Sequence, residues 1–130
     1  SSGNITQALE ILASRPAGFA VYAGDDIFAV PTILMGGDGV ISVIGNQLPE
    51  WTAKMVRAAL EGDIPTARTW HFRLQTLMQA NFLETNPAPV KCTLAMMGLI
   101  EESLRLPLVP VSERTRERLR QILAEMGILS

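Results

Sequence analysis

GFAVYAGDDIFAVPTILMGGDGVISVIGN, residues 18–46, is the stretch that decides the fold of this chain. Its two ends, residues 18–23 and 39–44, are short and almost wholly apolar, with β-branched and aromatic side chains. A half-exposed strand alternates apolar and polar residues, whereas a strand covered on both faces reads as a continuous apolar run. Both segments are therefore predicted to be strands buried on both faces. Between them, Asp26 is placed to cap a helix whose apolar body ends at Gly36-Gly37. A parallel pair needs a crossover of about a dozen residues or more, and this one has that length. Gly24-Asp25-Asp26 follows the first strand and Gly45-Asn46 the second. Those are the carboxyl ends, where α/β proteins carry their binding loops.

The elements on either side are helices. Asn4 can cap a first helix with Ile5, Ala8, Leu9 and Leu12 on one face, closed by Pro16-Ala17-Gly18. After Asn46 the β signal stops. Pro49 suits a helix first turn, with Trp51, Met55, Val56, Ala59 and Leu60 as its apolar stripe and Gly62 as its end. Asp63 caps the next helix, in which Ala67, Trp70, Leu74, Leu77, Met78 and Asn81 recur at three- and four-residue steps. A further helix opens near Asn86-Pro87-Ala88-Pro89 and runs to Gly98, since a first turn leaves amide protons unpaired anyway. Residues 104–111, with two prolines, read as an extended connector. Ser112 then caps a last helix with Leu119, Ile122, Leu123 and Met126 inward and Gly127 as its stop. The order is αβαβ followed by about four helices, an α/β class.

Composition bounds the function. The 130 residues suffice for a domain with a core, and 48% hydrophobic residues with a mean hydropathy of +0.23 offer more apolar surface than such a domain hides. Burial against another chain or a further part of the protein is expected. Eleven Lys and Arg against 13 acids leave a net charge of −2, so no nucleic-acid partner is expected. The basic run at 114–120 alternates with glutamates and reads as a solvated helix face. No apolar run spans a membrane and no signal peptide opens the sequence, so no membrane partner is expected and the predicted compartment is the cytoplasm. Cys92 is the single cysteine and sits among Val90, Leu94 and Ala95, which suits a buried structural thiol. With one cysteine and one histidine, His71, no zinc spacing and no nucleophilic triad can be assembled, and no metal ligands are predicted.

The glycines of Gly36-Gly37-Asp38-Gly39 precede a strand, whereas phosphate-binding glycines follow one and open a helix, so this is no phosphate loop. Asp25 and Asp26 together suggest paired carboxylates or a metal site. Adjacent residues point in different directions, however, and Asp26 as a helix cap is the better reading. Trp51 and Trp70, at helical spacing, read as core or interface residues rather than a stacking platform.

Three motifs in order carry a family resemblance: Gly36-Gly37-Asp38-Gly39-Val40-Ile41-Ser42-Val43, the box Asn86-Pro87-Ala88-Pro89-Val90-Lys91, and Arg105-Leu106-Pro107-Leu108-Val109-Pro110. Over residues 1–129 the chain resembles the dihydrodipicolinate synthases (4-hydroxy-tetrahydrodipicolinate synthases). These belong to the pyruvate-dependent class I aldolase group that also contains N-acetylneuraminate lyase. The resemblance implies the C-terminal portion of a TIM (β/α)₈ barrel, its last two parallel strands with their helices, over residues 1–62. A helical C-terminal bundle over residues 63–130 would follow.

It also implies a lyase that condenses pyruvate with aspartate semialdehyde for lysine biosynthesis, without a cofactor, in a homo-oligomer that is a dimer or tetramer. Ser1-Ser2-Gly3-Asn4 matches the tail of the family motif Lys-(Asp/Glu)-(Ser/Ala)-(Ser/Thr)-Gly-Asn. The lysine of that motif forms the Schiff base and would lie two residues before Ser1. No catalytic residue is therefore expected within the chain, and the segment alone is expected to be inactive. It would need an N-terminal barrel portion, in the same polypeptide or as a separate chain. Substrate binding is assigned by likeness to Ile41 in the pyruvate pocket, Gly24 in the loop after the seventh strand, and Asn86 near the site mouth. Each has a plainer reading beside it: barrel filling, a turn glycine and a helix cap. Two other functions fit the same residues, a 2-keto-acid aldolase or dehydratase acting on a sugar acid, and a non-catalytic α/β interaction fragment.

Overall fold

The computed structural model describes residues 2–129. Six α-helices and two strands are present among them: α1 (Ile5–Ser14), β1 (Tyr22–Ala23), α2 (Ala29–Leu34), β2 (Gly39–Val40), α3 (Pro49–Leu60), α4 (Ile64–Ala80), α5 (Ala88–Met96) and α6 (Glu113–Glu125). The chain forms two compact units, residues 1–74 and 75–130, and the division falls within α4.

In the first unit β1 and β2 are parallel, with Tyr22 opposite Gly39 and Ala23 opposite Val40. The predicted crossover is present, and α2 packs on both strands and on α3. The ladder is shorter than the apolar runs that announced it. One backbone bond flanks it at each end: the Asp38 N–H donates to Val21 O and the Ile41 N–H to Ala23 O, both at 2.8 Å. Among the described residues neither strand has a second neighbour. The expected burial on both faces is also absent, since Phe19, Tyr22 and Ile41 are exposed. The buried side is built by Ala23, Ala29, Ile33, Ile44 and Met55.

At the amino ends of the strands, Asp38 Oδ2 accepts from the Val21 N–H at 2.8 Å and pairs with Arg15 Nη1 at 2.6 Å. The Val21 hydrogen bond, aided by Arg15, holds the Asp38 carboxyl below its ordinary value. Helix α1 is capped as predicted, its Asn4 Oδ1 accepting from the Gln7 N–H at 3.2 Å, but it buries no residue. Asp63 caps α4 through the Thr66 N–H at 3.2 Å. Trp51 and Trp70 lie 5.7 Å apart, and the Arg73 guanidinium covers Trp51 at 4.1 Å, a cation–π arrangement that uses both rings as packing surface.

In the second unit α5 packs on α6, and Leu119, Ile122 and Leu123 are buried as the periodicity predicts. The Ser112 hydroxyl accepts from the Thr115 N–H at 3.3 Å and donates to Glu84 Oε1 at 2.7 Å, fastening the start of α6 to the loop before α5. Cys92 is fully buried. Residues 101–112 carry no helix or strand, in keeping with the predicted connector, and Leu106 and Val109 stand exposed on it. No described helix is long and apolar enough to cross a membrane.

Candidate functional site

The carboxyl ends of β1 and β2 gather the chemistry-bearing residues of the first unit. After β1 the chain passes through Gly24 and Asp25 into a single 3₁₀ turn (Asp26–Phe28). Asp25, not Asp26, caps that turn: its Oδ1 accepts from the Ile27 N–H at 3.2 Å. This corrects the sequence reading of Asp26 as the cap. A cap must precede the first helical residue, and the turn begins one residue earlier than the apolar pattern suggested, because the crossover opens with 3₁₀ geometry before α2.

Asp26 is freed to do something else. It is buried, 1% exposed, and reaches across to the loop that follows β2. The Ser42 hydroxyl donates to Asp26 Oδ1 at 2.5 Å, while the Val43 and Ile44 N–H groups donate to Oδ2 at 3.0 and 2.9 Å. The Ser42 oxygen in turn accepts from the Gly45 N–H at 2.7 Å. A buried carboxylate is costly unless donors replace its water, and three converge on this one. The signal for this was in the sequence: Ser42 is the one polar residue inside an apolar strand run, and a doubled aspartate leaves one carboxylate over once the turn is capped.

Gly24 lines a groove of about 120 Å³ together with Gly3, Asn4 and Gln7 from the start of α1, and Tyr22 and Phe28 beside β1. Its place in that wall joins the carboxyl end of β1 to the beginning of the first helix. Ile41 sits outside this groove, 69% exposed, with its N–H fixed to Ala23 O and the residues after it held by Asp26. Asn86 belongs to the second unit, where it is exposed. The alternative reading of Asn86 as a helix cap is not met: Pro87 occupies the cap position of α5 and no side chain caps it. Pro89 in the first turn lacks one of the donors a cap would otherwise serve, and the Ala88 N–H donates to Thr85 O at 3.0 Å.

Lys54 is on α3 and Lys91 on α5, neither at the end of a strand. Among the described residues no group of three His, Cys, Asp or Glu side chains is gathered where it could hold a metal ion. The Ser1-Ser2-Gly3-Asn4 match begins on a residue outside those described, while Gly3 and Asn4 lie in the groove wall. The site as it stands joins two parallel strand ends, a glycine in the groove wall, an exposed isoleucine and a loop bonded to Asp26.

The model of the Dihydrodipicolinate synthetase family matches residues 1–126. A 4-hydroxy-tetrahydrodipicolinate synthase from Acidobacterium capsulatum is 51% identical over 129 residues, covering 99% of this chain and 43% of that protein. The solved structure of dihydrodipicolinate synthase from Aquifex aeolicus superposes with a TM-score of 0.95 at 38% identity, over 98% of this chain and 44% of the other. The chloride-inhibited dihydrodipicolinate synthase from Acinetobacter baumannii, solved in complex with pyruvate, gives a TM-score of 0.95 at 36% identity, over 99% of this chain and 44% of the other. The chain thus spans less than half the length of these relatives. Its parallel strands and helices are part of the fold those enzymes share. On a match running through nearly every residue, the chain belongs to the dihydrodipicolinate synthetase family.

Proposed function

We propose that the complete protein is a Schiff-base lyase that condenses pyruvate with aspartate semialdehyde in lysine biosynthesis. In this reading residues 1–62 supply the last βα units of a (β/α)₈ barrel and residues 63–130 its C-terminal helical region. Ile41 and Gly24 form part of the substrate wall, and Asn86 lies near its mouth. The imine-forming lysine is contributed by sequence ahead of Ser1, and the 130 residues by themselves are inactive. The protein works in the cytoplasm as a homo-oligomer.

The chemistry needs an amine whose pKa is lowered enough to attack the ketone of pyruvate near neutral pH, with loss of water to an imine. Removal of a proton from the methyl carbon gives an enamine, and that carbon then bonds to the aldehyde carbon of the second substrate while a hydroxyl relay moves the protons. What this chain offers such a reaction is a preorganised apolar wall that excludes water and fixes the substrate's orientation.

The observation that supports the reading best is the parallel pairing of Tyr22–Ala23 with Gly39–Val40, which brings the loops of Gly24 and Ile41 to the same end of a sheet. Borohydride reduction of the full-length protein with pyruvate tests it. The expected result is a stable adduct on one lysine outside residues 1–130, and addition of aspartate semialdehyde should consume pyruvate. A complete barrel that never traps pyruvate overturns the proposal. Trapping followed by turnover only with a sugar-acid aldehyde would move the enzyme to another branch of the aldolase group.

A further inference from the structure

Ile41 is fixed from two sides. Its own N–H is held by Ala23 O at 2.8 Å, and the three residues after it are each bonded to Asp26. The peptide between Ile41 and Ser42 therefore lies between two anchors, both of which come from β1 or the turn that follows it. Asp26 is itself aimed by Asp25, whose side chain caps the turn on which Asp26 sits. The Asp26 side chain does not itself line the wall, yet it is among the most buried polar groups of the first unit.

We propose that Asp26 is a positioning residue: by clamping residues 42–44 it holds the Ile41 peptide in place as part of the pyruvate-binding wall, an inference that rests on the function proposed above. The residue type suits the task. A carboxylate has two oxygens and accepts only, so it can take the Ser42 hydroxyl on one and two backbone N–H groups on the other. An asparagine of the same shape has one accepting oxygen and turns an amide NH₂ toward donors.

The test uses the full-length protein and three variants. Asp26→Asn should raise the KM for pyruvate roughly tenfold or more, with a smaller change in kcat. Amide exchange at Val43 and Ile44 should accelerate by a similar factor. Ser42→Ala, which removes one of the three bonds, should give a smaller shift in the same direction, and it decides the matter if Asp26→Asn does not fold. Asp38→Ala is the control: it removes the bond to the Val21 N–H, a tie between the same two strands at their opposite ends, and should lower stability while leaving pyruvate KM unchanged. If the wild type traps pyruvate and the Asp26 and Ser42 variants keep its KM, the clamp is structural only and the inference falls. If the wild type traps none, the function proposed above falls first, and wild-type protection of Val43 and Ile44 still reports on the clamp itself.

Discussion

Gly37→Ala probes how α2 hands the chain to β2. A Cβ at Gly37 would lie 2.7 Å from Thr32 Cγ2 and 2.8 Å from Thr32 O, where ordinary contact begins at 3.4 Å. Both neighbours must retreat by more than half an ångström. The methyl can turn aside only by rotating a buried side chain about χ1, which has its own cost. The carbonyl cannot, because it accepts the Gly37 N–H at 2.8 Å and so is tied to the very residue that would push it away. Overpacking of this kind costs about 1–3 kcal/mol, and a backbone obstacle puts this site toward the upper end.

Gly36, one residue earlier, is the contrast. It has a φ of +100° with nothing within 4 Å of its Cβ position, so alanine there meets only a conformational cost of about 1–2 kcal/mol. Thr32→Ser removes the methyl and leaves the carbonyl. In that background Gly37→Ala should cost about 1 kcal/mol less, while the cost of Gly36→Ala should not change. Urea unfolding followed through Trp51 and Trp70, both in the same unit, reads the difference. Gly37→Ala alone should lower the midpoint by about 1 M. Equal costs for Gly37→Ala in the two backgrounds would refute the steric argument.

Three further outcomes follow from the packing and the charges. Because the Asp38 carboxyl titrates below its ordinary value of 3.8, its contribution to stability is complete above that value and is lost as pH falls through the lower folded value; Asp38→Asn should flatten this acid limb of a stability–pH curve. Burial, with Glu102 nearby, pushes the Cys92 thiol up to about 11, so iodoacetamide at pH 8 should leave the native protein unlabelled and modify it once urea unfolds it. Leu119→Ala removes a fully buried side chain of α6 and should destabilise by about 2–5 kcal/mol, measured as lost helical circular dichroism on heating.

The helices were legible because their caps and stripes are local. Asn4, Asp63 and Ser112 each do what their position before an apolar periodicity implies, and Gly62, Gly98 and Gly127 take positive φ after the helices they end. The parallel pair was legible from the apolar runs and the crossover between them. Strand length and cover were not, because a run such as 18–23 records what a fully surrounded strand needs, while the ladder records only the neighbours present. At the candidate site, Gly24 and Ile41 came from motif likeness, and the geometry puts them at one sheet end. The Asp26 clamp escaped the reading, because a carboxylate that bonds sixteen to eighteen residues onward leaves no periodic trace. A doubled aspartate followed by a serine in an apolar strand is a non-local sign, visible only once the strands are known to be adjacent.

The two carboxylates also act as stops against slippage. Sliding β2 by two residues keeps every side chain on its own face, so apolar patterning alone does not forbid it. Such a slide moves the chain by about 6.6 Å, which pulls Asp38 out of reach of Val21 at one end and Ser42 out of reach of Asp26 at the other. In a closed barrel the stagger between neighbouring strands, added around the circle, fixes tilt and diameter together. A ladder of only two residue pairs could hardly set that stagger by itself; here side chains at either extremity fix the register of the pair, Asp26 at one end and Asp38 at the other.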